Sequence, residues 1–251
     1  MTRPIARRVI ILGAQSAIAE AAARLFAAEG SRFILVGRDQ GRLNEICGDL
    51  TVRGAAACTT AVLDLAAETN PQAHMRAWVE QLGGLSLVLI AFGTLGDQFE
   101  TEKAGPALDE TLAVNFTAPA RWAMAAAEVV EAQGAGTVIA IGSVAGDRGR
   151  RSNYAYGAAK AGIAAFMQGL AHRLEPTGAR AVLIKPGFVD TPMTAGFKKG
   201  GPLWAKPHQI AAAIHRAADS GGPIVYAPWV WRWIMLIIRA LPAFVLHRTR
   251  L

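Results

Sequence analysis

Val9-Ile10-Ile11-Leu12-Gly13-Ala14-Gln15-Ser16-Ala17-Ile18-Ala19 reads as a short strand, a tight turn and the start of a helix. Four consecutive apolar residues, without polar alternation, suit a strand covered on both faces. Gly13 permits the turn, and Ile18, Ala22, Leu25 and Phe26 recur at helical spacing over Ala17–Glu29 until Gly30 stops the helix. A helix that starts directly beyond a strand offers free N–H groups and a positive dipole end to a pyrophosphate. Gly13, Gln15, Ser16, Ala17 and Ile18 are therefore candidate cofactor contacts. A plain strand–helix turn would read the same way, and Ala17 and Ala19 stand where dinucleotide loops use glycine.

Outward from this unit the alternation continues. Strands are expected at Phe33–Val36, Ala56–Leu63, Leu85–Ala91, Thr137–Ile141, Ala179–Ile184 and Ile224–Tyr226. Helices are expected at Gln40–Cys47, from the Asn70 cap and Pro71 to Leu82, and at Leu108–Gln133, Asn153–Leu174 and Pro207–Ser220. Short apolar strands separated by helices specify an α/β fold: a doubly wound parallel (Rossmann) sheet in a three-layer αβα sandwich. Residues 1–227 read as one domain, and 228–251 as an apolar, Trp/Arg-rich tail. In such sheets ligands bind beyond the carboxyl ends of the strands.

Bulk composition narrows the class. At 251 residues with 52% apolar content the chain can bury a full core, which argues against disorder. A formal charge of +7 suggests an acidic partner such as nucleotide phosphates, an anionic substrate or an anionic membrane. No nucleic-acid recognition module is legible. Cys47 and Cys58 have no metal spacing and are expected to be thiols in a reducing compartment; no metal site is expected. The apolar run after Arg7 and Arg8 is too short for a signal peptide, so a cytoplasmic location is expected.

The second strand ends Val36-Gly37-Arg38-Asp39. An arginine at this tip suits a 2′-phosphate, so NADP(H) is favoured over NAD(H); a surface arginine is the alternative. Asp64, after the third strand, can accept from an adenine amine or serve as a turn residue.

The catalytic signal lies further on. The fifth strand runs into Ser143, and Tyr156-Gly157-Ala158-Ala159-Lys160 opens a long helix. Residues i and i+4 share a helix face, so the Lys160 ammonium is expected near the Tyr156 phenol, lowering its pKa. Such a tyrosine can donate a proton to a developing alkoxide while Ser143 holds the same oxygen.

Ser143, Tyr156 and Lys160 resemble the active site of the short-chain dehydrogenase/reductase family, and the likeness runs from Val9 to about Tyr226. It implies Asn115 as a fourth catalytic member, in a proton relay through water. It also implies Leu65, Ala91, Phe92 and Gly93 beside the cofactor, and Pro186, Gly187, Val189 and Thr191 around the nicotinamide carboxamide. Tyr156 and Lys160 would also touch the cofactor. Two departures stand out: Ala17 and Ala19 in the glycine loop, and Ile90-Ala91-Phe92-Gly93 where the family has Asn-Asn-Ala-Gly. The implied reaction interconverts a ketone and a secondary alcohol, and a homo-oligomer formed through the two long helices is implied with it.

Substrate signals lie in the second half. Arg148, Arg150 and Arg151 precede Tyr156, and Lys198 and Lys199 fall within residues 188–206, where the resemblance implies a substrate lid. They suggest an anionic substrate; solvated loops or intersubunit pairs would read alike. The tail, Trp229-Val230-Trp231-Arg232-Trp233 onward, is too short to span a bilayer and fits an interfacial segment or one buried against its own fold or in an oligomer interface. Phe92–Asp97, Gly146–Asn153 and this tail together resemble the reductase subunit of decaprenylphosphoryl-ribose epimerase. That likeness implies a polyprenylphosphoryl 2-keto-pentose substrate in arabinan biosynthesis, an oxidase partner and peripheral contact with the inner membrane face. The alternatives are another apolar ketone (fatty-acyl, steroid or polyketide) and a non-catalytic dinucleotide-binding protein.

Overall fold

The computed structural model describes residues 6–103, 105–246 and 248. The chain alternates β1 (Arg8–Leu12), α1 (Ala17–Ala27), β2 (Arg32–Gly37), α2 (Gln40–Val52), β3 (Ala57–Val62), α3 (Pro71–Leu82) and β4 (Leu87–Ile90). Then come α4 (Gln98–Thr101), α5 (Pro106–Leu112), a π-helical turn (Ala113–Thr117), α6 (Ala118–Gln133), β5 (Thr137–Ile141), a 3-10 turn (Val144–Asp147) and α7 (Tyr154–Leu174). The remainder is β6 (Arg180–Pro186), β7 (Phe188–Val189), β8 (Trp204–Ala205), α8 (Pro207–Ala217), β9 (Ile224–Ala227), α9 (Trp231–Ala240) and α10 (Ala243–Leu246).

The described residues form a seven-stranded parallel sheet, ordered β3-β2-β1-β4-β5-β6-β9, with β7 and β8 paired apart from it. Chain order reverses between β1 and β4, and this switch point opens the ligand crevice beyond their carboxyl ends. Strand residues alternate between two cores because successive side chains point to opposite faces. Ile11 and Phe33 pack with Phe26 on one face, and Ile10 and Ile34 with Met75 and Trp122 on the other. There Trp78 stacks on Trp122, whose indole N–H donates to Leu65 O at 2.9 Å.

Two expectations are corrected. The helix expected over Leu108–Gln133 is broken by the π-helical turn. Pro119 is the cause: it has no N–H for the carbonyl of Asn115, four residues back, and its ring crowds that oxygen. Cys47 and Cys58 are not free: α2 packs on β3 and the two form a disulfide, with Cα atoms 5.7 Å apart. The tail, for which no secondary structure was expected, is helical, and its inner face takes the alternative of packing on its own fold, with Trp231, Met235 and Ile238 buried against Val144.

Candidate active site

A cleft of about 730 Å3 lies over the carboxyl ends of the strands. At one end Gly13, Gln15, Ser16, Ala17 and Ile18 line it around the N-terminus of α1. Gly13 sits at φ +85°, and a Cβ there would come 2.6 Å from Phe92 N, so any side chain would close the turn against β4. Ser16 makes no side-chain cap, leaving the first N–H groups of α1 for a ligand. Ala17 stands at the cleft wall, whereas Ala19 is fully buried in the core.

The tip of β2 presents Arg38 to the cleft. Its neighbour Asp39 is turned away, accepting from Arg42 N at 3.0 Å as the cap of α2. Gln15 Oε1 accepts from Arg38 N at 3.1 Å and lies over Gly37, whose Cβ would approach it to 2.7 Å. Asp64 and Leu65 also line the cleft; Asp64 Oδ1 accepts from Ala66 N at 3.0 Å, so it braces its own turn as well.

At the other end the structure brings Asn115, Ser143, Tyr156 and Lys160 together. Tyr156 and Lys160 stand on successive turns of α7, with Lys160 Nζ 5.6 Å from the tyrosine ring centre. Lys160 Nζ donates to Ile141 O at 3.1 Å, tying α7 to the end of β5. Ser143 Oγ accepts from Ala145 N at 3.0 Å, which leaves its proton for Tyr156. Asn115, fully buried in the π-helical turn, donates from Nδ2 to Thr111 O at 2.9 Å and accepts on Oδ1 from Thr94 N at 3.2 Å. Gly93 fits between: a Cβ there would lie 2.9 Å from Asn115 Oδ1 and 3.6 Å from Lys160 Nζ. The loop after Ser143 lies flat on α7, since a Cβ at Gly146 would come 2.6 Å from the Lys160 carbonyl carbon.

Burial moves both titrating groups. It pushes the Tyr156 phenol up to about 12, against a hydrogen bond with Ser143 that pulls it down. It lowers Lys160 to about 8. Among the protein groups alone, burial of the phenol thus outweighs the lowering expected from a neighbouring cation.

Pro186, Gly187, Val189 and Thr191 line the same end, as do Ala91, Phe92 and Gly93. Of the five basic substrate candidates only Arg150 reaches the cleft wall. Arg148 turns the other way and donates to Leu241 O at 3.2 Å. Lys199 pairs with Asp190, and Arg151 and Lys198 are exposed outside the cleft lining. Sequence reasoning passed over Thr94, Asn153, Met193 and Phe197, which also line the cleft. Thr94 follows a strand end, a position that could have marked it. A buried set behind the 3-10 turn also went unread: Asp147 pairs with Lys185 and accepts from Tyr226 Oη at 2.6 Å.

A switch-point crevice with a glycine turn, an uncapped helix end and a Ser/Tyr/Lys/Asn cluster defines a nicotinamide-dinucleotide oxidoreductase. The chain belongs to the short-chain dehydrogenase family, whose model matches residues 7–200. It is 34% identical over 240 residues to an uncharacterized oxidoreductase of Mycobacterium tuberculosis, covering 96% of each chain. It is also 34% identical over 245 residues to an uncharacterized oxidoreductase of Streptomyces coelicolor, covering 96% of this chain and 95% of that one. Among solved structures, levodione reductase superposes with a TM-score of 0.77 at 24% identity, covering 88% of this chain and 95% of that one. An actinorhodin polyketide ketoreductase variant with NADPH gives 0.77 at 22%, covering 88% and 97%; at these identities the likeness shows the fold. The protein is an NAD(P)-dependent oxidoreductase acting on CH–OH groups.

Proposed function

We propose that the protein reduces a ketone with NADPH, and that the ketone carries an anionic group on an apolar body. The observation that carries this reading is Arg150: it lines the cleft, and its buried Nε has no hydrogen-bond partner among the described residues. A desolvated cation of this kind is satisfied by a carboxylate or phosphate oxygen. Phe188, Met193 and Phe197, partly exposed at the cleft, suit the apolar remainder. The polyprenylphosphoryl 2-keto-pentose implied by the narrower resemblance combines both properties.

The cofactor supplies the hydride. In this reading Tyr156 donates its proton to the carbonyl oxygen, Ser143 hydrogen-bonds that oxygen, and Lys160 holds the ribose. Asn115, held by Thr111 O and Thr94 N, positions the relay behind Lys160. A phenol near 12 is protonated at working pH, the form that reduction uses. Arg38, with Asp39 committed to its cap, favours the 2′-phosphate of NADPH.

The test compares NADPH oxidation with a polyprenylphosphoryl 2-keto-pentose and with a neutral ketone of similar length. Arg150→Met should raise KM for the anionic ketone about tenfold or more, the loss of one charge-assisted hydrogen bond, and leave the neutral one unchanged. Turnover of neutral ketones alone, indifferent to Arg150, would favour a polyketide or fatty-acyl ketone, the reading that the apolar rim supports.

A further inference from the structure

Helix α9 has two faces. Trp231, Met235 and Ile238 pack inward on Val144. Outward, Trp229 is 72% exposed, Trp233 54%, Leu236 56% and Ile237 65%, with Phe244 at 66% just beyond. Scattered exposed apolar side chains are ordinary, but a contiguous set marks an interaction surface. At about 100° per residue, Trp233, Leu236, Ile237 and Ala240 fall in one arc. Arg232 and Arg239, both exposed, fall at the edge of that arc, and Arg239 also hydrogen-bonds the Tyr226 side chain. From residue 220 to 251 the sequence has no Asp or Glu and carries Arg232, Arg239, Arg248 and Arg250.

We propose that this outer face is a docking surface for an anionic lipid bilayer. Tryptophan rings seat at headgroup depth, and flanking arginines meet anionic headgroups. Charge complementarity selects this occupant over a second copy of the chain. Two such faces packed together would set arginine against arginine with no acidic residue in the segment to pair them. The helix lies on the surface and does not cross: ten residues extend about 15 Å against a hydrocarbon core of about 30 Å. No helix among the described residues is long and apolar enough to span. The inner face meanwhile touches the substrate side of the cleft, with Arg150 Nη2 3.6 Å from Met235 Sδ and Phe188 edge-on to Trp231. A bilayer at the outer face would thus lie one helix away from the cleft wall.

This inference stands apart from the substrate reading, because its test needs no substrate. The full chain is sedimented with phosphatidylcholine vesicles, with and without phosphatidylglycerol, beside Trp233→Ser/Ile237→Ser and Arg232→Gln variants. NADPH binding serves as the check of folding. The expected result is partition onto phosphatidylglycerol vesicles only, at least tenfold weaker in the double variant and weaker in Arg232→Gln. Binding should be released at 1 M salt, where the screening length falls to about 3 Å. Wild-type protein left in the supernatant with both vesicles overturns the proposal, as does binding that ignores the variants or the lipid charge. An oligomer that dissociates in the double variant also overturns it, since the face would then lie between copies.

Discussion

The indole of Trp231 lies directly on the backbone of Gly187: a Cβ added there would sit 1.9 Å from Trp231 Nε1. Gly187 belongs to the segment expected around the nicotinamide, and Trp231 opens the tail helix, so the Tyr156 end of the cleft and the tail share one contact. Gly187→Ala should expel the indole and loosen α9. Trp231→Ala should cost about 3–5 kcal/mol, the range for a buried tryptophan, if α9 unfolds with the rest. Denaturant melts and proteolysis of the tail read both; a Gly187→Ala protein with an unchanged tail would show that the backbone has room to shift.

Tyr156→Phe removes the proton donor and keeps the ring. Reductive kcat should fall by about 100-fold or more, while NADPH affinity stays within a factor of about two. Retained turnover would move the acid role to another group in the cleft.

Gly93→Ala tests the Asn115–Lys160 arrangement. The new methyl would stand 2.9 Å from Asn115 Oδ1 and 3.6 Å from Lys160 Nζ, so the amide must move. We expect kcat to fall about tenfold, as for a displaced relay rather than a missing acid, with little change in melting temperature. Equal losses of kcat and stability would mean that Gly93 matters for packing alone.

Lys160 gives a pH signature. Its charge is intact below about 8 and lost above, so reductive kcat/KM should fall as pH rises through that value. Lys160→Arg, charged at any working pH, should flatten that limb. Linkage gives a second readout with its own sign. The folded value is depressed from 10.5 to about 8, so the unfolded chain binds more protons between them. The penalty is full below 8 and is relieved as pH climbs to 10.5, so wild type should gain on Lys160→Met across that window.

The parallel sheet was legible because its strands are continuous apolar runs between helical repeats, and Thr137–Ile141 was placed to the residue. Ser143, Tyr156 and Lys160 were legible because a strand end and one helix turn fix their spacing. The rest depended on contacts between distant segments. The π-helical turn needed Asn115 and Pro119 read as a pair. The Cys47–Cys58 disulfide needed the packing of α2 on β3. Arg148, Arg150 and Arg151 look alike in sequence, yet only Arg150 lines the cleft; Arg148 and Arg150 are each held by tail residues some ninety positions away.

The separation of Tyr156 from Lys160 is one turn of α7, and Gly146, having no side chain, lets its loop press directly onto that helix. Helix pitch is a ruler that point substitutions cannot lengthen, and the glycine seam leaves no room to tilt it. Descendants of this sequence can therefore trade substrates only at the margins, through Arg150, Phe188, Met193 and the tail, while inheriting the same distance between acid and cation.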